Sequence, residues 1–207
     1  MRTAAFLGSV GCAVLLAAQA GSAQTPERST LQSPAAFSAI ADPAVRSRAL
    51  FTEAAKVITH PRCMNCHPAT DRPLQGNDQH PHLPQASRGE AGAGTAATPC
   101  IACHTESNFT LVADRGRYRS IPGHPRWQLA PIEMAWEGKS IGDICRQLKD
   151  PQRNGGRTLE LVHEHAAHDD LVAWGWQPGT GRDPAPGTQD LFGQLIKAWI
   201  DTGAECP

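Results

Sequence analysis

The chain is short of the residues from which a large apolar core is built. Its 207 residues include one tyrosine, five phenylalanines and five tryptophans, against 19 glycines and 17 prolines. That composition suits one domain or two very small ones, and leaves either with little core of its own. No lysine-rich run occurs and the net charge is only -1, which argues against nucleic acid or an anionic lipid surface as a partner. Past the opening stretch, no apolar run approaches the length of a membrane span. Methionine is scarce as well, with Met1, Met64 and Met134 the full supply.

Cysteine and histidine are present in a telling pattern. Cys63-Met64-Asn65-Cys66-His67 and Cys100-Ile101-Ala102-Cys103-His104 are two copies of Cys-x-x-Cys-His, the attachment sequence of a c-type haem. Two intervening residues let one helical turn present both sulfurs to the two vinyl groups of one porphyrin, and the adjacent histidine reaches the iron as proximal ligand. Cys-x-x-Cys pairs also build zinc ribbons and redox-active dithiols. Neither requires histidine directly after the second cysteine, in both copies. The expected cofactor is two covalent haem c groups, held by Cys63, Cys66, His67, Cys100, Cys103 and His104. Two porphyrins would also supply the apolar surface that the side chains lack.

The opening residues read as a secretory signal over 1–23: Arg2, an apolar stretch from Ala4 to Ala18, and a Gly21-Ser22-Ala23 cleavage site. Retention as an uncleaved anchor is the alternative. A periplasmic location follows, with no membrane span after cleavage. Cys12 leaves with the signal, so Cys145 and Cys206 remain, and in an oxidising compartment two leftover cysteines pair.

Residues 24–41, rich in Ser, Ala, Gln and Pro, read as a flexible leader, and 42–207 as a single domain. Asp42-Pro43 is an N-cap followed by proline at the first helical position, and Leu50, Phe51, Ala54, Val57 and Ile58 recur at helical spacing up to His60-Pro61. The interval 68–99 is nearly free of large apolar side chains and carries a Gly/Ala tract at 91–97, expected to stay mobile. It is too short for a complete cytochrome domain, so the two haems should share one domain and lie close together. Further helices are expected from Ser140 to Lys149, from Thr158 to about His168, and after Thr188, the last packing against the 43–58 helix. Nothing reads as a strand. The fold class expected is mostly α: a small, loop-rich, cytochrome c-like helical domain wrapped around two haems.

The sixth iron position separates electron transfer from catalysis. Met64 lies inside a motif, so Met134 is the sole good thioether candidate, and at most one haem can be His/Met. His82 stands in the stiff Pro81-His82-Leu83-Pro84 segment. His165 and His168 lie one turn apart on a helix, while His60, His80 and His124 sit beside prolines at turns. All five tryptophans follow the second motif and read as haem-packing or core residues. Trp174-Gly175-Trp176 has a partner-docking edge as its minority reading.

From Cys63 onward the chain resembles a group of bacterial dihaem cytochromes often labelled isoquinoline 1-oxidoreductase subunits. The resemblance rests on Cys63 to Pro68, Leu74-Gln75-Gly76-Asn77-Asp78, Leu129 to Gly142, Cys145 to Pro151, Asn154 to Arg157, His168-Asp169 and Trp174-Gly175-Trp176. It implies that a periplasmic dehydrogenase, a molybdenum hydroxylase of the xanthine oxidase type, donates electrons. It also favours His82, Met134 and His165 as distal ligands, since they fall in matching stretches. The chain has no dinucleotide-binding glycine loop and no cysteines left for an iron–sulfur cluster, so it would accept electrons rather than hydroxylate. The expectation is an electron-transfer protein, not an enzyme, passing electrons to a respiratory acceptor. Its main rival is a dihaem peroxidase-like enzyme with one open haem, against which the short 68–99 interval argues. A haem-based sensor is a weaker third possibility.

Overall fold

The computed structural model describes residues 30–112 and 118–207. The 1–23 signal, with Cys12, and the first part of the 24–41 leader lie outside the described residues.

Among the described residues there are six α-helices: α1 (Pro43–Ile58), α2 (Pro61–Met64), α3 (Ile141–Leu148), α4 (Leu159–His168), α5 (Asp170–Ala173) and α6 (Gln189–Asp201). Helix α1 starts where the sequence predicts. The Asp42 side chain accepts from the amides of Ala44 and Val45, satisfying two N–H groups that a first turn leaves free. Ser140, Thr158 and Thr188 cap α3, α4 and α6 in the same way.

The core lies where α6 packs on α1 and α4. From α1 it takes Leu50, Phe51, Ala54, Val57 and Ile58, and from α6 Phe192, Leu195, Ile196 and Trp199. The Trp199 and Phe51 rings are tilted with centroids 5.0 Å apart. Ser47 ties the two helices: its hydroxyl donates to the Trp199 carbonyl at 3.1 Å and accepts from the Glu205 amide at 2.9 Å. Close approach of α4 to α6 needs Gly193, since a β-carbon there would lie 2.5 Å from the Ala167 β-carbon. Cys145 of α3 is bonded to Cys206 as a disulfide, as expected from the cysteine count. No helix among the described residues is long and apolar enough to cross a membrane.

Three expectations need correction. Two short antiparallel hairpins are present, β1 (Leu74–Gln75) with β2 (His80–Pro81) and β3 (Phe109–Val112) with β4 (Tyr118–Ile121). Two-residue strands are below any periodicity signal, but Phe-Thr-Leu-Val against Tyr-Arg-Ser-Ile was legible from β-propensity. The leader is ordered within its described part: Leu31 is buried in the core and the Gln32 amide donates to Glu53.

The 68–99 interval, with its Gly/Ala tract, is pinned by hydrogen bonds rather than loose. Arg88 is buried and donates to the carbonyls of Pro68, Thr70 and Ala130. The Gly94 amide donates to Arg88, the Cys100 amide to Ala93 and the Leu129 amide to Gly92. Polar clamping here does what apolar side chains cannot.

Candidate functional site

The first Cys-x-x-Cys-His segment is one helical turn. His60 caps it with Nδ1 accepting from the Arg62 amide, Pro61 opens it, and the Cys66 amide donates to the Cys63 carbonyl. The β1–β2 hairpin is docked on this turn, because Arg62 and Asn65 both donate to the Gly76 carbonyl. Gly76 adopts a φ of +80°, and a side chain there would meet Asp78. This places the Leu74–Asp78 stretch directly against the first motif.

His67 leaves the turn with its Nδ1 donating to the Met134 carbonyl at 2.8 Å. Its ring lies flat on Trp136, centroids 3.6 Å apart and planes 3° from parallel. Cys63, Cys66 and His67 face a partly open cavity of about 160 Å3. Met134 and His165 also line it, among largely apolar walls from α1, α4 and α6. Two guanidiniums, Arg62 and Arg157, reach the lining, and no carboxylate does. Burial pushes the Cys63 thiol up to about 12 and that of Cys66 up to about 11, and pushes His67 down to about 4. A reactive dithiol needs the opposite shift.

The second segment repeats the plan on a 3-10 turn. The His104 amide donates to the Cys100 carbonyl, and His104 Nδ1 donates to the Pro122 carbonyl at 2.7 Å. Its ring lies over Trp127, centroids 4.6 Å apart and planes 8° from parallel. The His82 ring stands 5.9 Å away at 56°. This site is the more open of the two: Cys103, Ile101 and Leu83 are exposed, while His104 is buried.

Trp127 belongs to both sites, since it stacks on His104 and lines the His67 cavity. Trp174 meets its face edge-on at 4.9 Å and lines the same cavity, while Trp176 packs on Phe192 and donates to the Pro186 carbonyl. Trp174 and Trp176 are partly buried and Gly175 is buried, so the segment contributes to the cavity wall.

His165 is held by Asp169, whose carboxylate accepts from Nδ1 at 3.1 Å. Asp169 also caps α5 and pairs with Arg126. The structure thus gathers His67, Met134 and His165 at one site, and His104 and His82 at the other. Sequence reasoning missed Arg62, Arg157 and Asp169, and the pairing of one tryptophan with each motif histidine. Among the described residues no three His, Cys, Asp or Glu side chains converge as a metal cluster. No protein-family model, curated protein or solved structure matches the chain.

Proposed function

We propose that the chain is a periplasmic dihaem c-type cytochrome that relays single electrons from a dehydrogenase to a respiratory acceptor. A molybdenum hydroxylase is the donor that the sequence resemblance implies. One observation carries the proposal: both Cys-x-x-Cys-His segments fold alike, each with a histidine fixed through Nδ1 to a carbonyl and laid flat on a tryptophan. That is the support which orients a metal-bound imidazole and fixes its tautomer.

The residues of the first site fit a haem. The two thiols sit on one turn for thioether attachment, and the walls match a flat apolar group. Arg62 and Arg157 would meet its two carboxylates, and Arg62 Nε is buried without a partner among the described residues. His67 and His104 would hold the iron through Nε2. The haems would supply reversible one-electron chemistry. The protein side chains would hold them and exclude water at the first site, with Trp127 between the two sites.

The test is expression with the cytochrome c maturation machinery, followed by intact mass after acid–acetone extraction. Two porphyrins per chain should stay bound. Loss of both, with zinc recovered instead, would reject the proposal.

A further inference from the structure

We infer that each iron is held between two histidines, His67 with His165 and His104 with His82, and that Met134 ligates neither. This rests on the haem reading above and completes its ligand sets.

The histidines separate by where their proton must sit. His67, His82 and His104 direct Nδ1 at a backbone carbonyl, of Met134, Pro84 and Pro122 respectively, and His165 directs Nδ1 at the Asp169 carboxylate. An acceptor there requires the proton on Nδ1 and leaves the Nε2 lone pair available. None of these four Nε2 atoms has a hydrogen-bond partner among the described residues.

The other histidines are unsuited. His60 and His124 accept backbone amides at Nδ1, so their proton sits on Nε2. His80 donates to Asp78 and takes Gln75 on its other nitrogen. His163 and His168 line an outer groove against α6, away from both motifs. Four available imidazoles remain for two irons.

Their placement pairs them. Two imidazoles sharing one metal, each bonded at roughly 2 Å, put their ring centroids roughly 6 Å apart. His82 and His104 stand at 5.9 Å. His165 lines the same cavity as His67.

Met134 fails on reach. Its own carbonyl accepts the His67 Nδ1 proton at 2.8 Å, which anchors its backbone behind the proximal ring. A methionine sulfur stays within roughly 6 Å of its own carbonyl oxygen. The far side of a metal on His67 Nε2 lies roughly 9 Å from that oxygen. The sulfur rests instead 3.7 Å from Arg157. At the second site the His82 ring already stands 5.9 Å from that of His104.

The experiment is spectroscopy on the dihaem protein and its variants. The wild type should show two low-spin haems with no weak thioether band at the red end of the oxidised spectrum. His82→Ala and His165→Ala should each turn one haem high-spin, and added imidazole should restore it. Should the alanine variants misfold, His82→Met and His165→Met should keep both haems low-spin, bring in the thioether band and raise one potential each. Met134→Leu should leave both haems low-spin, since no iron–sulfur bond is lost. A wild-type thioether band lost in Met134→Leu would overturn the inference, as would low-spin spectra in both alanine variants without imidazole. A protein lacking covalent haem would instead overturn the haem reading itself.

Discussion

On the proposed haem ligation, a histidine's value as a ligand is set by its other nitrogen. The sequence marks His67 and His104 through their cysteines, but nothing in its pattern tells His82 or His165 from His80 or His124. The difference lies in what meets each ring nitrogen: an acceptor at Nδ1 with Nε2 left free of hydrogen bonds among the described residues in His82 and His165, an occupied Nε2 in His80, and a backbone amide at Nδ1 in His124. Trp127 is the other residue whose role only folding discloses. Replacing it with leucine removes the ring that backs His104 and lines the first cavity. On the dihaem proposal, Trp127→Leu should slow electron exchange between the two haems at least several-fold while both stay attached, as flash-reduction kinetics would register. Unchanged exchange would make Trp127 a packing residue alone. Arg88 is a third such case. Its loss strands the buried Pro68 carbonyl and the part-buried carbonyls of Thr70 and Ala130, and Arg88→Ala should destabilise by on the order of 2 kcal/mol in urea unfolding.

Helices are the most legible elements because capping and periodicity are local. Asp42, Ser140, Thr158 and Thr188 all cap where the sequence predicts. The Gly/Ala tract at 91–97 reads as mobile in the sequence because the hydrogen bonds of Gly92, Ala93 and Gly94 and the buried Arg88 leave no periodic trace. The contact between α4 and α6 was also invisible, since one glycine in a helical pattern reads as a mere weakness. Gly193→Ala would otherwise gain helix propensity. Here its β-carbon collides with Ala167, and we expect a net loss of about 2 kcal/mol. Pairing it with Ala167→Gly should recover most of the loss. Thr188→Ala should cost about 1 kcal/mol through the Leu191 amide it frees.

At the scale of the molecule, the pairing of Cys145 with Cys206 followed from counting, and the packing of the last helix on the first from their matched apolar faces. The closeness of the two candidate sites was expected from the short interval, but the shared Trp127 was not. The disulfide spans 61 residues, for which loop closure gives about 4 kcal/mol of stabilisation. Cys145→Ser with Cys206→Ser should lower the denaturation midpoint accordingly. A midpoint unchanged within error would mean that the bridge adds nothing beyond the packing around it.

The clasp between α1 and α6 through Ser47 also sets a timetable. A chain whose earliest helix is roofed by its latest has no intermediate length at which the interior is shut. Until Trp199 has emerged, Leu50 and Phe51 stay uncovered, and the cavity beside Cys63 and Cys66 lacks its Phe192 and Ile196 wall. The thiols of the first motif thus pass through a long open period during synthesis. Enzymes that modify cysteine would work within it, and closure would then seal their product inside.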